Sequence, residues 1–300
     1  MRAVGVREFG GPLEVVDLPL PEPGPGQVRI QVSGAAVNPT DTGLVAGYVP
    51  PGVPPRDVWV PGMDLSGHLD GEPVVAMVIP FEVPVGAYAQ HVVVPALSVA
   101  PAPRSIPLTH AAALPMNGLT AQRSLDQLDL QPGQWLGVTG AAGVYGGYVV
   151  QLAKAAGLHV VADASDADAE LVSGLGADVV VPRGEAFCEA VREHVPEGVD
   201  GLADGAVLDA AVVGAVRDRG RIASVRGWKG PADRGIAVFP TWVSRYRDEQ
   251  AKLARLCRLV DEGALTVRVH DVVPLAQAAD AHRRLAAGGQ RGRTVLDLTA

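Results

Sequence analysis

The residues best suited to chemistry in this 300-residue chain lie in one run, "VTGAAGVYGGYVVQLAKAAG", from Val138 to Gly157. Small residues recur there as Ala141-x-Gly143-x-x-Gly146, with Ala142, Val144 and Tyr145 filling the gaps. A dinucleotide-binding turn needs this spacing, because its backbone must approach a pyrophosphate closely and the following helix must pack tightly on the preceding strand. Unpaired N–H groups and the positive end of the helix dipole then hold the anion. Both flanks suit this: "WLGVT" reads as a strand and "YVVQLAKAAG" as a helix. Asp163 in "HVVADAS" falls 20 residues after Gly143, where an acid accepts hydrogen bonds from the adenosine ribose, and Ser165 follows as a further contact. Asp163, Asp166 and Asp168 repel a 2′-phosphate, and no Lys or Arg lies among residues 160–170, so charge favours NADH over NADPH. The plainer alternative is a strand-to-helix turn that binds nothing.

Other chemistries find little support. Cys188 and Cys257 are the only cysteines and lie in unrelated contexts, which argues against a disulfide framework or a thiolate metal cluster. The histidines show no paired-ligand spacing, and there is no G-x-S-x-G elbow. A short-chain dehydrogenase turn, TGxxxGxG, needs glycine where Val144 stands, and none of the five tyrosines has lysine four residues later. The formal net charge of −8 disfavours nucleic-acid partners. No apolar run reaches the length of a membrane span and the start "MRAVGVREFG" is no signal peptide, so a cytoplasmic location is expected, with no membrane partner.

The elements that must position the turn follow from texture. Residues 1–100 are rich in Pro and Gly around short β-like runs such as "QVRIQVSG", "GEPVVAMVI" and "AQHVVVPA", which predicts a compact β-rich unit. "PPGVPPRDVWVPG", from Pro50 to Gly62, has five prolines and reads as an ordered loop. From about Thr109 strand-like and helical runs alternate as far as "RIASV", which predicts βαβ units and a parallel doubly wound sheet. The closing strand "TVLDL" is expected to return to the first domain. The expected organisation is α/β, with residues 1–108 and 268–300 forming the first domain and 109–267 the second.

With the turn in mid-chain behind a β-rich domain, the sequence resembles the medium-chain dehydrogenase/reductase superfamily, in its zinc-free quinone oxidoreductase branch. The matching pieces are "AAVNPTD", "PGMDLSG", "GAYAQHVVVP", "AAALPMNGLTA", the turn itself, "GLGADVVV", "GRIASV" and "PLAQAADAHRRLAAGGQRGRTVLDL", in family order over nearly the whole chain. One departure is the abrupt "HLDGEPVV", where relatives carry a longer segment. The resemblance implies a GroES-like domain and a Rossmann domain, an NAD(P)H cofactor, a quinone or enone substrate and a homodimer. Alternatives are a tailoring enoyl reductase, or a nucleotide-binding sensor or structural protein without turnover.

Relatives that oxidise alcohols hold catalytic zinc with cysteine, histidine and cysteine; the corresponding residues here are Asn38, Met63 and Asn117, two amides and a thioether, so no metal is expected. Met63 and Asn117 then line the substrate pocket. The resemblance places Asn38 beside the nicotinamide and substrate, where its amide can donate to a carbonyl; a turn residue before Pro39 is the alternative. Tyr48 lies near a family proton donor, one residue out of alignment; the alternatives are a cleft wall or a residue unrelated to the site. Thr120, Val225, Arg226 and Arg293 match positions near the cofactor, against capping for Thr120 and plain surface placement for the arginines. The Tyr145 main chain is assigned to the cofactor, and its side chain either to cofactor, cleft or packing.

Overall fold

A computed structural model describes residues 1–230 and 233–299. The chain divides into two compact units, Met1–Met116 with Ser244–Ala300, and Asn117–Val243.

In the first 116 residues, β1 (Arg2–Gly5) and β2 (Glu14–Asp17) pair as an antiparallel ribbon. β3 (Gln27–Ala36) runs into α1 (Pro39–Val45), which starts with Pro at the first helical position, where the missing N–H costs nothing. β4 (Asp64–Leu69) and β5 (Glu72–Met77) form a hairpin closed by Asp70 and Gly71, both at positive φ (52° and 88°). The abrupt "HLDGEPVV" is therefore a two-residue turn whose positive-φ backbone matches the right-handed twist of the strands. β6 (His91–Pro95), β7 (Val99–Pro101) and α2 (Leu108–Ala111) complete this stretch, and α3 (Pro115–Leu128) spans the division between the units.

The second unit alternates β8 (Trp135–Thr139), α4 (Val144–Ala155), β9 (His159–Ala164), α5 (Ala169–Gly174), β10 (Val179–Pro182), α6 (Phe187–His194), β11 (Val199–Asp204), β12 (Val216–Val225) and β13 (Ala237–Thr241). All its pairings are parallel, in the order β10-β9-β8-β11-β12-β13. This is the doubly wound Rossmann order, which reverses between β8 and β11, and ligands bind beyond the carboxyl ends of the strands at that switch. Val161, Phe187, Leu202 and Ile222 are buried in its core.

The last residues return to the first unit. α7 (Gln250–Asp261), β14 (Val269–Pro274), α8 (Ala278–Ala287) and β15 (Arg293–Asp297) follow in turn. The sheet order is β14-β15-β3-β4-β5-β7, with β6 also on β3. β15, which contains "TVLD", pairs antiparallel with β3, Val295 opposite Ala36. Ile30, Leu65, Tyr88, Val92 and Leu296 share one core.

The unit edges differ from the expected 108/109 and 267/268. α2 packs on β3, β4 and β15, so the chain leaves the first unit only after Met116. α7 buries Leu253, Leu256, Cys257 and Val260 and packs against β7. Asp261 at its end accepts the N–H groups of Arg104 and Ser105 at 2.7 and 2.8 Å. Those contacts draw α7 to the first unit, although it follows the second in sequence.

Candidate active site

The glycine-rich turn joins β8 to α4 at the switch in strand order. Gly140 takes the left-handed conformation (φ 68°), and Gly143 caps α4 with extended backbone. Ala141 stands in the first glycine position without strain, because the left-handed residue is Gly140 and not Ala141. Gly146 is required for a different reason: a Cβ there would lie 2.3 Å from the Gly140 carbonyl oxygen. The first N–H groups of α4, at Val144 and Tyr145, have no partner within the helix, as at any helix start. Ala142 and Gly143 are part-exposed and exposed, and the Gly143 N–H donates to the Gly140 carbonyl at 2.9 Å.

Asp163, at the end of β9, is turned toward this loop. Its Oδ1 accepts the Ala141 N–H at 3.0 Å and the Gly140 N–H adds to the hold, while the residue is only 4% exposed. Burial pushes its pKa up against the pull of those two donors. The carboxylate expected at the ribose thus braces the turn. Ser165 is likewise committed, its hydroxyl donating to Asp168 Oδ2 at 2.6 Å.

Tyr145 packs inside the second unit. Its ring lies over Gly205, where a Cβ would come within 2.7 Å of it. Its hydroxyl shares a 2.7 Å hydrogen bond with Ser124 Oγ, and burial raises its pKa. Ser124 reaches Thr241 Oγ1 at 3.4 Å, and Thr241 donates to Gln127 Oε1 at 2.7 Å. The chain of hydroxyls ties the turn of α4 to α3 and to the end of β13. Across the switch, Thr139 donates to Asp204 Oδ1 at 2.6 Å, and Asp204 accepts the N–H groups of Leu208 and Asp209.

The first unit holds a buried polar cluster around Asn38. The Asn38 N–H donates to Asp41 Oδ2 at 2.8 Å, and its side-chain amide donates to Asp64 Oδ2 at 2.8 Å. Asp41 also accepts the Gly62 N–H and the Tyr88 hydroxyl, each at 3.1 Å. Tyr88 in turn meets His282 Nε2 at 3.1 Å. Asp64 Oδ1 accepts the Met116 N–H at the start of α3. Desolvation lifts both carboxyls to about 7 against their hydrogen bonds, and it lowers His282 to about 4.

A family described as zinc-binding dehydrogenase matches residues 156–296. Prostaglandin reductase-3 of Mus musculus is 31% identical over 286 residues, covering 84% of this chain and 74% of that protein. The chain belongs to the medium-chain dehydrogenase/reductase superfamily. Within the superfamily it is also 33% identical to the chloroplastic quinone-oxidoreductase QR1 of Triphysaria versicolor, over 62% of this chain and 64% of that relative's length. Among solved structures, an NAD-dependent alcohol dehydrogenase (31% identity, TM-score 0.85) and a mycobacterial protein complexed with NADPH (28% identity, TM-score 0.84) are alike in fold. Each likeness covers 99% of this chain and all of the other.

As a member of the quinone oxidoreductase branch of this superfamily, the protein places its other expected site residues unevenly. Met63, Asn117 and Thr120 are buried. Among the described residues no group of three or more His, Cys, Asp or Glu side chains is arranged to hold a metal ion. The "zinc-binding" match begins at residue 156 and so does not touch Asn38, Met63 or Asn117. Tyr48 follows α1, its N–H on the Gly43 carbonyl, and is 79% exposed. Val225 ends β12, and the exposed Arg226 follows it at positive φ (68°). Arg293 begins β15 within Coulombic reach of Asp41 and Asp64, whose raised pKa values it opposes. Sequence reasoning missed Tyr88, His282, Ser124 and Asp204. Tyr88 and His282 lie 194 positions apart, and no local pattern links them.

Proposed function

We propose that this chain is a zinc-independent NAD(P)H-dependent reductase of a quinone or of the activated C=C bond of an α,β-unsaturated carbonyl. The observation that carries the reading is the Ala141–Gly146 turn, opening α4 at the switch point of a 3-2-1-4-5-6 parallel sheet. Its residues fit a dinucleotide: the loop reaches solvent at Gly143, and Gly146 lets the start of α4 lie against the Gly140 carbonyl, which a Cβ would approach to 2.3 Å. Val144 and Tyr145 offer N–H groups to the pyrophosphate, and Asp163 holds the loop in shape. The bound nicotinamide supplies the hydride. Asn38, Met63 and Asn117 replace a zinc ligand set with neutral amides and a thioether. Reduction of an electron-poor C=C bond or a quinone does not need the Lewis acid that alcohol oxidation does.

Asn38 acts here as a positioning residue, since its side-chain amide is spent on Asp64 and on the Ala36 carbonyl. Exposed Tyr48 is the candidate proton donor, with Thr120, Val225 and Arg226 beside the cofactor. A homodimer in the cytoplasm completes the proposal; no helix among the described residues is long and apolar enough to cross a membrane. The test is an initial-rate screen with both cofactors against quinones, enones and enoyl thioesters, run on wild type and Tyr48→Phe. Turnover of a quinone or enone is expected, with a large loss in the variant on enones. No turnover on any substrate, with the cofactor still bound, points to a binding protein, and an unaffected variant removes Tyr48 from the proton transfer.

A further inference from the structure

The carboxyl edge of the second unit's sheet carries a cation and an aromatic ring that are both left open to solvent. β12 and β13 run parallel with Val225 level with Thr241, so Arg226 and Trp242, the next residue on each strand, leave the sheet as neighbours. Arg226 and Gly227 both take the left-handed conformation (φ 68° and 89°), and β12 ends there in a turn. A Cβ on Gly227 would come within 2.5 Å of the Trp242 ring, so the indole rests on bare backbone that only glycine supplies. Trp242 is nevertheless 51% exposed. Trp228 packs against the core of this unit and anchors the loop. Arg226 and Lys229 on that loop are exposed, and among the described residues no hydrogen bond or ion pair engages either side chain. Even Asp209, whose carboxylate accepts the Ser224 hydroxyl at 3.4 Å, forms no ion pair with Arg226.

We infer that this edge recognises a conjugated substrate bearing a carboxylate, with Arg226 holding the carboxylate and the open face of Trp242 the unsaturated plane. The inference rests on the reductase reading and names a substrate class for it. In a sheet of this order ligands lie beyond the carboxyl ends of the strands, and β12 is directly beside β11, one of the two strands at the switch. A guanidinium suits a carboxylate because its fork of donors engages both oxygens at once. The indole adds a flat apolar face whose position Gly227 already fixes. Lys229 places a second positive charge on the same loop. Hydride and a proton add to the conjugated system while the carboxylate passes through unchanged, so Arg226 selects the substrate without entering the chemistry.

The test assays the full chain with two matched pairs: an aryl enone bearing a benzoate against its methyl ester, and a naphthoquinone bearing a carboxylate against the parent quinone. Wild type is expected to favour the carboxylate in kcat/KM. Arg226→Gln should cut that preference by about tenfold or more, through KM and not kcat. Both members of a pair use the same cofactor, so any contact of Arg226 with the cofactor cancels from the ratio. Arg226→Lys should recover part of the preference, and Trp242→Ala should raise KM for both members by about threefold or more. Equal effects of Arg226→Gln on charged and neutral substrates, or a wild-type preference for the neutral member, overturn the assignment and leave the reductase reading standing. Turnover confined to neutral compounds outside these pairs does the same, and an unchanged KM in Trp242→Ala removes the ring from the site. No turnover of these compounds or of any in the wider screen defeats the reductase reading, and this inference with it.

Discussion

Replacing Asp41 with alanine tests the buried cluster of the first unit most directly. Three donors converge on this carboxyl: the N–H groups of Asn38 and Gly62 and the Tyr88 hydroxyl. Tyr88 keeps a partner in His282, but the two amides are left buried and unsatisfied. Each such group costs about 1–3 kcal/mol, so the variant should lose roughly 2–5 kcal/mol after relief of the carboxyl's own desolvation. That is a large share of a typical stability of about 5–15 kcal/mol. Urea unfolding gives the total, and amide exchange should show the loss in residues 27–69 with little change in 117–243. A pH series on Asp41→Asn adds the sign. The Asp41 and Asp64 carboxyls rise on folding to about 7, from about 4 unfolded, so the folded state binds these protons more tightly. The stability they contribute is complete below about pH 4 and is lost as pH climbs through about 7. Asp41→Asn escapes one of these ionisations, so its deficit against wild type should shrink between pH 4 and 7. An Asp41→Ala loss under about 0.5 kcal/mol, or a deficit of the Asn variant that grows with pH, would refute the reasoning.

Gly146→Ala drives a Cβ into the Gly140 carbonyl; cofactor affinity should fall by about tenfold or more for NADH and NADPH alike, measured by fluorescence titration. Tyr145→Phe removes one hydroxyl from the Ser124 bond while the ring stays over Gly205. It should cost about 1 kcal/mol in urea unfolding and change cofactor affinity by less than about threefold.

The phosphate turn was legible because its strand, small residues and helix are contiguous, and the close approach that demands Gly146 is made within six residues. The direction of Asp163 was not. β9 is buried at five consecutive positions, as strands covered on both faces are, so no alternation of polar and apolar residues tells which way a side chain points. Spacing therefore gave its level in the sheet but left its partner open. The Asn38 motif was recognised, yet its partners Asp64, Tyr88 and His282 come from three distant segments that only the fold brings together. α7 was misassigned because chain order suggests one neighbour and its apolar face finds another.

The placement of β15 beside β3 bears on how the chain is made. Residues 117–243 form a contiguous unit that can complete its sheet as soon as it leaves the ribosome. The first unit cannot, because the edge of β3 near Ala36 waits for Val295, which follows the whole second unit in the chain. During translation that edge is an unpaired apolar strand, a hazard for pairing with other chains. A chain interrupted before β15 would keep the second unit intact and leave the first open.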